Sequence, residues 1–361
     1  MGADSRILAF PPGTELVFGP QATRRQHISE QLALVMRGWG FTEIMVPAFD
    51  GRESAPDDAE EGSLYQLTDR EGRTLMLRAD FTRFVAKALA AELRRDNRQI
   101  RACYEGKIFR FQPGGHGHRV EQSQRGLEWI NAPGRVYDAA ALLMARECLA
   151  AAGIQQSVIV VGHAGFVNGV LGEAAGERRL LEALDHKNPT RIREVAMRLG
   201  MPAGTVSLLE SLPMFTGGPE VLSRLASAPL PDAARAALDE LAELQALLAA
   251  AGLNEGLLYD LGEVRRFRYY SGLMFKAYHP RVGEELGGGG RYDRLFDRYG
   301  LSVPAVGFGF DLARLAEAAP RDGGNGPAPT RVAAGGGAVA LRKAIELRAA
   351  GRPVLLGEEE A

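Results

Sequence analysis

Arg265-Arg266-Phe267-Arg268-Tyr269-Tyr270-Ser271-Gly272 and, about one hairpin further on, Gly287-Gly288-Gly289-Gly290-Arg291-Tyr292-Asp293 are the two stretches on which the reading of this chain turns. A glycine run usually marks a turn, and it also lets a backbone approach a ligand closely because no Cβ stands in the way. This run carries Arg-Tyr-Asp on its end and follows a stretch with arginines and paired tyrosines. That order of residue types is a more specific signal than a spacer would leave. Strand character begins upstream at 257–260 and continues through both stretches to a helix near 312–318.

Further out, residues 1–150 read as alternating helices and strands. Ile28, Leu32, Val35 and Met36 recur at helical spacing within 21–38, and Gly40 ends that helix. Residues 41–47 read as a strand stopped by Pro47. Segments 64–67 and 74–78 form a hairpin around Asp69-Arg70-Glu71-Gly72, and a helix over 81–94 follows with Asp80 in capping position. Strands at 100–110 and 124–129 flank a glycine-rich loop at 113–118; then come a helix at 136–152 and a buried strand at 158–161. From 171 to 252 the pattern is of alanine- and leucine-rich helices broken by Pro202, Pro213, Pro219 and Pro231, with no strand. Residues 321–329 are a linker by composition. One βαβ unit follows, with strands at 330–334 and 353–356 around a helix at 339–350. So small a unit cannot bury enough surface to stand alone, so it must dock on something or stay loosely ordered. Its Gly335-Gly336-Gly337 run lacks the lysine or acid of a phosphate cradle and reads as a flexible turn. The chain thus divides into a core in two parts, 1–170 and 253–319, a helical insertion at 171–252, and a linker with a short remnant at 320–361.

Bulk properties narrow the function. The 361 residues are 46% hydrophobic and 24% charged, enough to bury a large core. The net charge of −2, without a block of like charges, gives no support to a polyanion-gripping surface. Cys103 and Cys148 stand outside any CxxC or metal-spaced pattern, so reduced thiols and no metal are expected, and no cofactor is called for. The first residues lack an apolar signal core and no run reaches membrane-spanning length, so a cytoplasmic protein is expected.

Four separated stretches together resemble the class II histidyl-tRNA synthetases. Arg265, Tyr269 and Tyr270 match that family's Arg-Gly-Leu-Asp-Tyr-Tyr, and 287–293 match its Gly-Gly-Gly-Arg-Tyr-Asp. Leu77-Arg78-Ala79-Asp80-Phe81-Thr82 resembles Leu-Arg-Pro-Glu-Gly-Thr, with Asp80 one methylene shorter than the family's acid. Phe109-Arg110 and, on the next strand, Gln124-Arg125-Gly126-Leu127-Glu128 resemble class II motif 2. Gln124, Gly126 and Glu128 alternate and so share one strand face. Gly40-Phe41-Thr42-Glu43-Ile44 leading to Pro47 is a weak motif 1, which in class II proteins builds the dimer interface. The resemblance covers about 10–318. It implies an α+β fold, a class II synthetase-like antiparallel sheet flanked by helices. It also implies a site for free histidine made of Asp80, Thr82, Arg110, Gln124, Glu128, Arg265, Tyr269 and Tyr270. Such a site needs an acceptor for the ammonium, a donor for the carboxylate and polar groups for both ring nitrogens. A cap on the following helix explains Asp80 equally well, whereas for Gln124 and Glu128 the fit to the rest of the pattern favours the pocket over the alternative of a solvated strand face.

The departures from the family gather on its ATP side. Phe111-Gln112 stands where the family has His-Glu, and His118 with Arg119 stands at its loop arginine. In 307–314 the adenine-stacking Arg314 is kept, but Asp311 replaces a glycine and Ala313 an acid. A charge placed beside a triphosphate is unfavourable without a compensating cation. Arg268 stands where the family has aspartate. No full anticodon-binding domain follows. A core of this kind resembles the regulatory subunits of ATP phosphoribosyltransferase. That resemblance implies a short-form catalytic subunit as partner, histidine as feedback ligand, self-association through motif 1, no tRNA, and lost adenylation. A short histidyl-tRNA synthetase or histidine-activating ligase is the alternative, and a stand-alone histidine-binding module a third reading.

Overall fold

The computed structural model describes residues 10–52, 64–111, 119–263, 269–320 and 330–357. Its strands are β1 (Thr42–Glu43), β2 (Phe49–Gly51), β3 (Gln66–Thr68), β4 (Thr74–Leu77), β5 (Ile100–Phe109), β6 (Glu121–Ile130), β7 (Val158–His163), β8 (Thr216–Gly217), β9 (Leu257–Asp260), β10 (Leu273–His279), β11 (Val282–Arg291), β12 (Ala305–Asp311), β13 (Thr330–Ala333) and β14 (Val354–Gly357). The helices that matter below are α1 (Pro20–Gly38), α2 (Phe81–Arg95), α3 (Arg135–Ala151), α4 (Ala164–Leu171), α5 (Arg178–Asp185), α6 (Pro189–Arg198), α7 (Ala203–Ser211), α8 (Glu220–Ala226), α9 (Asp232–Ala250), α10 (Leu312–Ala318) and α11 (Ala338–Ala349).

Nine strands form one sheet in the order β1-β5-β6-β12-β11-β10-β7-β9-β8. Its centre, from β5 to β7, is antiparallel throughout, while β1 runs parallel to β5 and β9 parallel to β7. Residues 41–47 contribute only two to the ladder. The carbonyls of Val46 and Pro47 instead accept from the Arg78 guanidinium, both at 2.9 Å, which draws the chain away from β5. The helix-rich segment does contain a strand, the two-residue β8 on β9, too short to leave an alternating pattern.

Side-chain alternation gives the sheet two different faces. On one, Leu127, Phe308 and Phe310 pack with Leu32 and Met36 of α1, Leu142 and Leu149 of α3, and Leu241 and Leu244 of α9. The same core continues into Leu180, Ile192, Leu209 and Leu222 of α5 to α8, so these helices share the sheet's core. On the other face Phe81, Val85 and Leu93 of α2 cover Tyr104, Ile108 and Ile130. Helix α2 forms because those apolar residues recur at helical spacing between an Asp80 cap, whose side chain accepts from Arg83 N, and Arg94 and Arg95 in the last turn. The candidate site lies between α2 and the middle strands of this face, where Thr82 of α2 reaches Glu128 of β6. The pair β13 and β14 is parallel, and α11 packs on it.

Candidate functional site

The register of three strands, β6, β12 and β11, lays glycine where a floor is needed. Gly126 pairs with Gly309, Glu128 with Gly307, and Gly290 with Gly307, all on the face that α2 packs against. A Cβ on Gly126 would collide with the Phe308 carbonyl and the Tyr104 hydroxyl, and one on Gly307 with the Glu128 carboxylate. At Gly290 a Cβ would come within 2.8 Å of the Tyr270 ring. Glycine here is a packing requirement, since side chains from above reach down to the strand backbone.

Glu128 stands at the centre of this floor, 1% exposed. Its Oε1 accepts from the Thr82 hydroxyl at 2.7 Å and lies 3.4 Å from the Tyr104 hydroxyl; its Oε2 accepts from the Tyr292 hydroxyl. Burial pushes its carboxyl up to about 8, against the pull of these hydroxyls, and nearby Asp80 adds to the rise. Asp80 caps α2 and faces the Arg83 guanidinium at 3.5 Å. Burial raises its carboxyl too, outweighing Arg83 and Arg110. The two readings of Asp80, cap and pocket acid, are therefore compatible in one conformer. Arg110 Nε donates to the Ala79 carbonyl at 2.8 Å, which sets it beside Asp80.

Tyrosines make the wall. Tyr269 meets Tyr292 edge-on with centroids 5.9 Å apart, leans on Tyr270 at 4.8 Å, and shares a hydrogen bond with Thr82. The Arg83 guanidinium sits 5.2 Å from the centroid of its ring. Tyr104 stacks on Phe81 with centroids 4.1 Å apart. Burial pushes the phenols of Tyr104, Tyr269 and Tyr292 well up, so all three are hydroxyl donors and acceptors at neutral pH. Gln124 shares the Glu128 face four residues along, its Oε1 over Gly309. Asp80, Thr82, Glu128, Tyr269 and Tyr270 thus converge, with Arg110 and Gln124 at the rim. Arg265, Arg268, Gln112 and His118 lie outside the described residues.

Two members of the site were not singled out from the sequence, Tyr104 and Tyr292. The period-2 rule points to Tyr104 once β5 is paired with β6, because Tyr104 lies opposite Gly126. The motif 287–293 separates into different tasks. Arg291 is a buried clamp on Asp138, with Nη2 2.7 Å and Nε 2.8 Å from the carboxylate, and it also donates to the Ala132 and Gly134 carbonyls. Tyr292 enters the pocket, and Asp293 accepts from Ala305 N at 3.1 Å.

The other end of the same face is differently built. Asp311, opposite Gln124 in register and 4% exposed, caps α10 by accepting from Ala313 N at 2.8 Å and Arg314 N at 3.1 Å. Arg119 faces it at 3.6 Å and Arg314 at 3.8 Å. Burial raises the Asp311 carboxyl despite these neighbours. Arg314 is further held by the Glu285 carbonyl at 2.7 Å and by an ion pair with Glu284. Burial lowers its own pKa, with Arg119 and Arg110 contributing in the same direction. Among the described residues no group of His, Cys, Asp and Glu could hold a metal, and no helix is long and apolar enough to cross a membrane.

Comparison with known proteins places these features. The family profile described as Histidyl-tRNA synthetase matches residues 13–315. The ATP phosphoribosyltransferase regulatory subunit of Moorella thermoacetica is 33% identical over 99% of this chain and 94% of its own length. That of Rubrobacter xylanophilus is 31% identical over 99% of this chain and 88% of its own. A crystal structure from Bacillus halodurans, described as an ATP phosphoribosyltransferase regulatory subunit/histidyl-tRNA synthetase, superposes with a TM-score of 0.83 at 27% identity, covering 98% of this chain and 93% of the other. The fold is thus that of the class II synthetases, and the chain belongs to the histidyl-tRNA synthetase family, among its ATP phosphoribosyltransferase regulatory subunits.

Proposed function

We propose that this chain is the regulatory subunit of a short-form ATP phosphoribosyltransferase, required for the first step of histidine biosynthesis and for its inhibition by histidine. The observation that carries the reading is the near full-length similarity to relatives of that name. The part played by the chain in the complex is non-catalytic. Histidine is its ligand, held by Asp80, Thr82, Arg110, Gln124, Glu128, Arg265, Tyr269 and Tyr270. The convergence of five of these around a glycine floor supports that assignment.

Histidine regulates by favouring one quaternary state, which requires that it bind the two states with different affinity. Self-association runs through α1 and the segment after it, where Leu34 and Met45 are exposed at 55% and 95%. Amino-acid activation is lost. Displacement at an α-phosphate depends on free cations in fixed positions. Here Arg314 is already committed to Glu284 and the Glu285 carbonyl, and Asp311 faces both Arg119 and Arg314.

The test is phosphoribosyl-ATP formation by the short catalytic subunit of the same organism, with and without this chain, followed by a histidine titration. The rate rises on adding the chain and falls again with histidine. An unchanged rate removes the regulatory reading, and histidine-dependent ATP–pyrophosphate exchange would then support the activating-ligase alternative.

A further inference from the structure

Glu128 is an unusual acid to find at the centre of a pocket for a basic ring. Its hydrogen-bond partners are Thr82 from α2, Tyr104 from β5 and Tyr292 from the end of β11, all hydroxyls. No cation pairs with it among the described residues. The charged groups around it are Asp80, which is anionic when ionised, and beyond Asp80 the guanidinium groups of Arg83 and Arg110. From the segment before β10 the phenol of Tyr269 faces it, and on its own strand Gln124 lies four residues away. Beneath it is the backbone of Gly307. A fully buried carboxylate with no counter-cation and an acid for a neighbour is held more stably as the neutral acid.

We propose that the empty pocket keeps Glu128 as a carboxylic acid, admits histidine with a neutral ring, and passes the Glu128 proton to that ring on binding. The inference rests on the histidine-pocket reading above and specifies its chemistry. The O–H bond of Glu128 breaks, an N–H bond on the ring nitrogen forms, and a carboxylate–imidazolium pair replaces two neutral groups. No proton enters or leaves the complex. The entering cation supplies the counter-charge that Glu128 lacks among the described residues, so ligand and acid neutralise each other in a site that disfavours either ion alone. The hydroxyls of Thr82 and Tyr292 remain as donors to the carboxylate once it forms.

The consequence is a distinctive pH profile. An imidazole titrates near ~6.5, so the free ring is mostly neutral above that value. A pocket with a permanent carboxylate selects the imidazolium, and its affinity falls about sevenfold between pH 6.8 and 7.8. A pocket that brings its own proton shows no such fall, because ring and acid together carry one proton before and after binding. Histidine binding is therefore expected to hold constant within about twofold over this window, with close to zero protons exchanged in calorimetry repeated in buffers of different ionisation enthalpy.

Two readouts make the test decisive. The infrared spectrum of the unliganded full chain at neutral pH should contain a buried carboxylic-acid carbonyl band that is missing in Glu128→Gln. Its absence from the unsubstituted chain overturns the proposal whatever histidine does. Nitrogen NMR of ring-labelled histidine should then report a bound imidazolium at pH 7.5. A bound neutral ring, or uptake of about one proton per histidine bound, overturns the proton hand-over and leaves the pocket assignment standing. No histidine binding at any pH overturns both.

Discussion

The two ends of one sheet face are built on opposite principles. Around Glu128 the strands supply glycines, its hydrogen-bond partners are hydroxyls, and among the described residues the central acid has no cation of its own. Around Asp311 three arginines gather, and protein acids and carbonyls already occupy Arg314. The first end is short of a positive charge among the described residues, and at the second Arg314 already has protein partners. A ligand that completes a site gains the full interaction, whereas one that must displace internal partners gains only a difference. This contrast is what supports the proposed reading, in which the histidine end is a receptor and the nucleotide end has become structural.

The largest expected effect lies at the receptor end. Replacing Glu128 with Ala removes the group that meets the ring and strands the Thr82 and Tyr292 hydroxyls. Histidine affinity should drop by about 100-fold or more, roughly 3 kcal/mol, by calorimetry. A loss below about threefold would place the ring elsewhere.

Next comes pH. Burial lifts Glu128 to about 8 in the folded chain, against an ordinary ~4.3 when unfolded. Between those values the folded chain keeps a proton that the unfolded chain has lost. Stability from this group is complete below the lower value and declines as pH rises through the higher one, by an amount on the order of a few kcal/mol. Denaturant unfolding should therefore be steeper in its pH dependence for the unsubstituted chain than for Glu128→Gln. Equal slopes would mean that Glu128 is ionised in the folded state.

The glycine floor can be broken selectively. A methyl at Gly307 collides with the Glu128 carboxylate and the Leu127 carbonyl, while one at Gly309 stops 3.3 Å from the Tyr104 hydroxyl. Gly307→Ala should cost about 1–3 kcal/mol in unfolding experiments and abolish histidine binding. Gly309→Ala should cost visibly less on both counts.

At the structural end the effect is smaller and of another kind. Asp311→Ala removes the α10 cap, worth about 0.5–2 kcal/mol of stability, and should leave histidine affinity unchanged. A matching loss of histidine binding would show that the two ends act together.

Much of this arrangement could be read from the chain alone, because it depends on local rules. Asp80 before an amphipathic run marked the α2 cap, and the strand and helix character read at 257–260 and 312–318 coincides with β9 and α10. Gln124, Gly126 and Glu128 fell on one face by alternation. What could not be read depends on long-range register. Tyr104 joins the site only because β5 pairs with β6, and Tyr292 reaches Glu128 across 164 positions of sequence. The compensation of Asp311 was equally hidden. As a sequence change it is an isolated charge, and its cap and arginine contacts exist only once β12, α10 and Arg119 are brought together. The short β1 was overcalled because the competitor for its carbonyls, Arg78, lies some thirty residues away.

The central claim, a kept histidine receptor beside a spent nucleotide site, is tested most directly by titrating the full chain with histidine in the absence and presence of magnesium-ATP. The account predicts saturable binding of one histidine per chain, with the same affinity in both titrations, since Arg314 is already held by Glu284 and the Glu285 carbonyl. Failure to bind histidine, or an affinity that rises with ATP, would contradict it.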